Sequence, residues 1–175
     1  MQKMNKFLLK EYSQCKERFW FRINELEPEI VAPDNMQEFF NEQKKLIETY
    51  AFELLSKKST LSCELQKEIE TEDFKVKIDI CAQHLKSGKT DIYELYNSRG
   101  FKTHRLWDLA FLSLVLKAAG YSPGKVFAVN INPNYIRQEG EIIPEELLQI
   151  SDLSQKVNRL LPKVKLKLKE AFEFG

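Results

Sequence analysis

The feature that most constrains the fold is a β-hairpin pattern followed by a strongly apolar helix and a further strand. Residues 74–81 alternate between polar and apolar side chains, residues 87–88 supply a turn, and residues 91–97 are rich in strand-forming residues. Residues 103–119 are apolar almost all round, which is typical of a helix buried against a sheet. Because a strand pattern at 125–131 comes next, the sequence predicts a helix that crosses between two strands of one sheet.

The flanking segments are predicted to be mainly helical. Residues 7–23 place apolar side chains at helical spacings, and a second helix begins near Asp34, which can cap it. We expect residues 65–69 to form an earlier strand. From Pro144 onward the sequence favours helix, with an interruption at Pro162. The predicted fold is therefore a mixed α/β arrangement, with a central sheet of about four strands flanked by helices.

Charge is balanced overall but unevenly distributed. The chain has 27 Lys and Arg against 26 Asp and Glu, with a formal net charge of +1, so it is not a polycation that coats nucleic acid. Any anion site must therefore be local. Residues 155–175 hold six basic and two acidic side chains. The 175 residues predict a single domain over 1–175, with a basic helical tail at 155–175.

The sequence also predicts a cytoplasmic protein without a membrane anchor. The apolar stretch at residues 7–9 is too short for a signal peptide, and no apolar run reaches the length that crosses a bilayer. Cys15, Cys63 and Cys81 show no Cys-x-x-Cys spacing, which argues against a disulfide framework and against a zinc ribbon.

The order of the motifs resembles a known nuclease core. Asp79 lies inside an apolar strand, a second strand carries Tyr93-Glu94-Leu95, and a long helix follows, as in the PD-(D/E)XK nuclease superfamily. Residues 9–21 resemble the cysteine-lysine-arginine-aromatic helix that opens RecB-like and CRISPR-adaptation nucleases.

The resemblance continues toward the C-terminus. Residues 108–111 (Asp-Leu-Ala-Phe), and residues 130–137 together with 140–142, are similar to a bacterial RecB-like family of uncharacterised function. The resemblance runs from about Leu8 to Leu153. It implies a restriction-endonuclease-like core.

The resemblance also implies a metal site with a degenerate motif. Asp79 and Glu94 would hold Mg²⁺ or Mn²⁺, since phosphodiester hydrolysis needs a divalent ion and Mg²⁺ prefers carboxylate oxygens. The hairpin predicts that these two residues lie on adjacent strands and face the same side of the sheet. The family pattern has a lysine where this chain has Tyr96, and a glutamine where it has Leu112. Cys15 resembles the first ligand of an iron–sulfur cluster in some relatives, but no cysteine follows Cys81, so we expect no cluster.

Three functional hypotheses follow. The leading one is a nuclease-fold domain that has lost efficient catalysis and serves as a binding or regulatory module, for nucleic acid or for a protein partner. The second is an active Mg²⁺-dependent DNA nuclease in which a migrated basic group, Lys77, Lys102 or Arg99, takes the place of the missing lysine. The third is an interaction domain without a metal.

Nucleic-acid contacts are predicted for a set of basic residues, with DNA favoured over RNA. Local cationic clusters on a neutral protein still bind phosphates by releasing counterions. The predicted set comprises Lys16, Arg18, Arg22, Lys102 and Arg137, in addition to the basic tail.

Overall fold

The computed structural model of the protein describes residues 3–24, 34–136 and 140–174, with side chains in the helix from Asp34 described from Glu42 onward. The helices are α1 (Lys6–Gln14), α2 (Lys16–Ile23), α3 (Asp34–Ser56), α4 (Leu106–Ala118), α5 (Pro144–Leu147) and α6 (Ser154–Phe174). The strands are β1 (Leu61–Glu70), β2 (Lys75–His84), β3 (Lys89–Arg99), β4 (Ser122–Ile131) and β5 (Leu148–Asp152). A single 3-10 turn, Thr103–Arg105, precedes α4.

The five strands form one mixed sheet in the order β1-β2-β3-β4-β5. Strands β1, β2 and β3 pair antiparallel, β3 and β4 pair parallel, and β5 adds to β4 antiparallel. Helix α4 makes the connection between the two parallel strands, which confirms the predicted crossover. The sheet has five strands where the sequence predicted about four. The extra strand is β5, in a segment predicted to be helical, because five residues are too short to show a decisive period.

The N-terminal helix pattern resolves into two helices. Cys15 adopts an extended backbone (φ −155°, ψ 109°) between α1 and α2, so the single helix predicted over 7–23 is wrong at this position. The break folds α2 back onto α1, and the rings of Tyr12 and Phe19 then meet edge to face with their centroids 5.2 Å apart. The Asn5 side chain caps α1 by accepting from the backbone N–H groups of Phe7 and Leu8.

The basic C-terminal segment is part of the packed fold. Helix α6 runs through the exposed Pro162 without ending there, so the predicted interruption is wrong. One stripe of α6 is buried against α4 and α1, through Val157, Val164, Leu168 and Ala171. Within the described residues, no helix is both long enough and apolar enough to cross a membrane.

The sheet separates two apolar clusters, and β2 passes between them. Helices α1, α4 and α6 cover one face, and α3 covers the other. Ile78 packs in the first cluster and Ile80 in the second, although alternate residues of a regular strand share one face. The residue between them is Asp79. The change of face therefore places an acidic residue at the boundary between the two clusters.

A second irregularity lies between β3 and β4. The register shifts between Thr90 and Ile92, where the buried Asp91 carboxylate accepts from the Lys125 backbone N–H at 2.6 Å. A Cβ atom built on Gly124 would lie 2.1 Å from Asp91 Oδ1. The carboxylate therefore occupies the space that a side chain at position 124 would need.

We expect Gly124→Ala to lower the free energy of unfolding by about 1.5 kcal/mol, because the added methyl group must displace a buried, hydrogen-bonded carboxylate. Urea denaturation with an unchanged m-value measures the loss. Ser122→Ala, at an exposed position of the same strand, is the matched control. Equal midpoints for the two variants would show that the carboxylate moves freely.

Candidate functional site

The candidate site lies where the pairing of β2 with β3 ends. The last paired residues at this end are Ile80 and Tyr93, and Asp79 and Glu94 come next on the two strands. The Asp79 backbone N–H donates to Glu94 Oε1 at 3.1 Å, and the Leu95 N–H donates to Asp79 Oδ2 at 2.8 Å. The two carboxylates thus lie on adjacent strands and replace the ladder hydrogen bonds. Their residues are only 5% and 2% exposed.

Two lysines from different helices neutralise this carboxylate pair. Lys44 of α3 places its Nζ 2.7 Å from Asp79 Oδ1, and Lys6 of α1 places its Nζ 3.5 Å from Glu94 Oε2. Each of the four carboxylate oxygens therefore has either an ammonium or a backbone N–H as its partner. Buried carboxylates need such partners, since an unpaired buried charge is strongly destabilising.

A third acid and a strained glutamine complete the cluster. Glu48 lies one helical turn after Lys44, with its Oε1 3.9 Å from the lysine Nζ. The Gln66 side chain donates to Glu48 and, at 3.4 Å, to Asp79 Oδ1. The backbone of Gln66 has φ +52°, in the left-handed region that costs a non-glycine residue about 1 kcal/mol or more. Strain of this kind, retained beside a polar cluster, is typical of functional sites.

The electrostatics of the cluster follow from its burial. Burial, reinforced by the nearby Asp79 charge, raises the pKa of Glu94 to about 7. The same two causes raise the pKa of Glu48. For Lys44, burial opposes the charged form, but Asp79 and the other carboxylates together raise the pKa above its ordinary value. Lys44 is therefore a firmly charged group at the centre of the site.

Tyr96 and Leu112, the positions where the resemblance predicted a lysine and a glutamine, are both buried and packed. Tyr96 is buried on β3, and its ring lies beneath the Arg105 guanidinium, 4.2 Å from the ring centroid. Burial raises the pKa of Tyr96, so its phenol stays protonated and supplies no positive charge. Leu112 is fully buried in α4 and lines the space next to Asp79.

The basic residues proposed as a migrated lysine lie apart from the carboxylate pair. The Lys77 side chain is 53% exposed, and its Nζ pairs with Glu68 of β1 at 3.9 Å. Arg99 is exposed at the end of β3, and Lys102 is exposed just before the 3-10 turn. The ammonium that contacts Asp79 belongs to Lys44, which the sequence did not indicate. Lys44 and Glu48 are 35 and 31 positions from Asp79, so no local spacing connects them with it.

The basic residues predicted to contact nucleic acid lie in different environments. Lys16 lies over the rings of Tyr12 and Phe174, at 5.4 and 5.5 Å from their centroids. The Arg22 Nε contacts Glu11 at 2.6 Å, which offsets its charge. Arg18 and Lys102 are exposed, and Arg137 lies outside the described residues.

The carboxylate oxygens of the site decide whether a divalent ion fits it. Carboxylate oxygens suit Mg²⁺, but the described residues hold no group of three or more His, Cys, Asp or Glu side chains placed to bind a metal ion. Lys44 and Lys6 also occupy one oxygen each of Asp79 and Glu94, the two predicted metal ligands. The site as arranged does not fit a divalent ion.

Comparison with known proteins finds likenesses among solved structures. No family model matches the chain, and no curated protein matches it. Among solved structures, the crystal structure of SSO0001 is similar: 14% of residues are identical, the match covers 91% of this chain and 69% of that chain, and the TM-score is 0.40. At this identity and this score, the likeness assigns neither a family nor an activity to the chain.

Proposed function

We propose that this chain is a PD-(D/E)XK-like domain that has lost efficient phosphodiester hydrolysis and now binds nucleic acid. The observation that carries the proposal is the Lys44 ammonium, 2.7 Å from Oδ1 of Asp79, the carboxylate that the resemblance assigns to the metal ion. Lys6 beside Glu94, and the apolar packing of Tyr96 and Leu112, support the same conclusion. A site neutralised by its own lysines has no need of a cation.

The charges around the site support nucleic acid as the ligand. Lys10, Arg105 and Lys167 line a cavity next to Glu94, in a protein whose net charge is only +1. A local cluster of this kind binds phosphates through counterion release. The small size of the cluster also limits the affinity for nucleic acid, because the cluster can contact only a few phosphates at once.

We expect the protein to bind single-stranded DNA in a salt-dependent manner. Each phosphate contact contributes a slope of about −0.7 to a plot of log K against log salt, so three or four contacts predict roughly −2 to −3. Fluorescence anisotropy between low and moderate salt measures the slope. An affinity that does not change with salt would contradict the proposal.

A second candidate function, that of an active Mg²⁺-dependent DNA nuclease, is favoured by the same lysine, Lys44. In that hypothesis Lys44 leaves the Asp79 carboxylate when a divalent ion binds, and as the migrated catalytic lysine it supplies the positive charge that Tyr96 lacks. A cleavage assay on single- and double-stranded DNA with Mg²⁺ or Mn²⁺ distinguishes the nuclease from the binding module. The binding-module proposal expects no cleavage by wild type above the level of Asp79→Asn. Efficient wild-type cleavage that Lys44→Ala and Asp79→Asn both abolish would establish the nuclease instead.

A further inference from the structure

A cavity of about 710 Å³ lies beside the carboxylate pair, and the basic cluster of Lys10, Arg105 and Lys167 forms part of its wall. Its walls come from α1, β3, the 3-10 turn and α4, with Lys44 of α3 and Lys167 of α6 also lining it. The volume lies within the range of small-molecule and cofactor sites. The cavity is therefore large enough for a nucleotide-sized ligand.

The cavity has a surplus of positive charge. Five cationic side chains line it against two carboxylates, those of Glu94 and Asp108. Lys6 and Lys44 are engaged at the carboxylate pair, and Lys167 pairs with Glu170. The five cations are Lys6, Lys10, Lys44, Arg105 and Lys167.

Two of these cations form no ion pair with any described residue, although both interact electrostatically with Asp108 in the same cavity. In the described part of the chain, neither Lys10 nor Arg105 has a carboxylate within the 4.0 Å that defines an ion pair. Arg105 is held in place by its position over the Tyr96 ring. A preorganised guanidinium and a neighbouring ammonium form a natural phosphate contact.

The Tyr96 hydroxyl independently indicates a ligand, because it lacks a hydrogen-bond partner in the part of the chain that the structure describes. Tyr96 lines the cavity and is only 7% exposed, yet its hydroxyl has no hydrogen-bond partner among the described residues. Buried hydroxyls almost always have one, because an unpaired buried donor is costly. An acceptor oxygen on a bound ligand would satisfy it.

Aromatic side chains at the same cavity suit a planar ring. Phe7 is 67% exposed and Trp107 is 37% exposed, and both line the cavity. Exposed aromatic rings beside a cationic wall are how proteins hold the bases of single-stranded nucleic acid.

We propose that this cavity binds a nucleoside monophosphate unit, with the phosphate held by Lys10, Arg105 and the Tyr96 hydroxyl and the base against Phe7 and Trp107. The inference rests on the proposed function, since it names the part of a strand that the module holds, a single-stranded terminal nucleotide. A free mononucleotide offers the same chemistry, and the experiment separates the two sources.

The test uses the full chain and three kinds of probe. The first is a fluorescent dT12 strand, with and without a phosphate on its unlabelled end, in both polarities. The others are free dTMP and inorganic phosphate, as competitors and by calorimetry. The variants are Lys10→Gln and Tyr96→Phe. The control is Lys86→Gln, at an exposed position of the β2–β3 turn.

We expect Lys10→Gln to weaken binding of the phosphorylated strand about tenfold, and Tyr96→Phe about fivefold, as for one charged and one neutral hydrogen bond. Lys86→Gln should change the affinity less than about twofold. Tyr96→Phe should also melt about 2–4 °C higher than wild type, because it removes an unpaired buried hydroxyl. A purely structural role for Tyr96 would not raise stability while lowering affinity.

The outcomes separate this inference from the proposed function. A strand that binds equally well to wild type, Lys10→Gln and Tyr96→Phe would overturn the cavity site while leaving the binding module intact. Binding of dTMP but of no strand, with the same dependence on the variants, would support the cavity site and contradict the nucleic-acid module. Inorganic phosphate binding as tightly as dTMP would overturn the base contact, and no binding of any probe would overturn both proposals.

Discussion

At pH 8, the Glu94→Gln variant is expected to be more stable than the wild-type protein by about 3 kcal/mol. Glu94 is 2% exposed, and burial with the nearby Asp79 charge raises its pKa from 4.5 to about 7. A shift of this size corresponds to about 3 kcal/mol between its two protonation states. Glutamine resembles the protonated form, and its carbonyl oxygen can still accept from the Asp79 N–H.

The sign of the pH dependence follows from the direction of the shift. Because the folded-state pKa of Glu94 is raised, its contribution to stability is fully present below pH 4.5 and is lost as the pH rises through about 7. The free energy of unfolding of wild type, relative to Glu94→Gln, should therefore fall between these two pH values. Glu48 and Asp108, whose pKa values are also raised, contribute equally to both proteins and cancel in the difference.

Urea denaturation at pH 5, 6, 7 and 8 measures this difference. Glu68→Gln provides the control, because the Glu68 side chain is 74% exposed on β1 and should show the wild-type pH dependence. Parallel curves for wild type and Glu94→Gln would mean that Glu94 titrates near its ordinary pKa, in a more solvated site than the one described here.

The second large effect is expected at Lys44. Lys44→Ala leaves the Asp79 carboxylate, 5% exposed, without its cation. Breaking a fully buried ion pair costs about 3–5 kcal/mol. The Lys44 side chain is 39% exposed, so solvent screens part of that loss, and we expect about 2 kcal/mol.

The same variant should acquire a response to Mg²⁺. Without the ammonium, Asp79 and Glu48 lose their cation, and only Glu94 keeps one, that of Lys6. The oxygens of such an acidic cluster suit a divalent ion. A ligand at a hundred times its Kd stabilises a protein by about 2.7 kcal/mol, so Mg²⁺ should restore much of the loss. Thermal melts with EDTA and with Mg²⁺ make the measurement.

Lys45→Ala is the matched control, because Lys45 is the exposed neighbour of Lys44 on the same helix. Neither wild type nor Lys45→Ala should respond to Mg²⁺. If Mg²⁺ stabilised wild type as much as Lys44→Ala, the lysine would not stand in for a metal ion, and the migrated-lysine nuclease would become the better account.

The arrangement around β2, β3, α4 and β4 was predictable from the sequence alone. The alternation over 74–81 and the apolar helix that follows are local patterns, and each reports how one segment is buried. The adjacency of Asp79 and Glu94 follows from the same hairpin. A short turn leaves the two strands little choice of partner.

The other elements were decided by tertiary packing. Residues 148–152 form a strand because the free edge of β4 is available to pair with them, and Cys15 is extended because α2 folds back onto α1. Pro162 is accommodated within α6, whose apolar stripe is buried against α4 and α1. The intrinsic helix or strand propensity of a segment contributes little free energy compared with such burial.

The pairing of charges at the site was also decided by tertiary packing. Asp79 and Glu94 were found from the family resemblance, whereas Lys44, Glu48 and Lys6 reach them from helices distant in sequence. Local patterns report burial and period, but an ion pair depends on where two helices dock against a sheet. The carboxylates of this site were therefore readable from the sequence, and the lysines that neutralise them only from the fold, because a buried charge takes its partner from whatever packs against it.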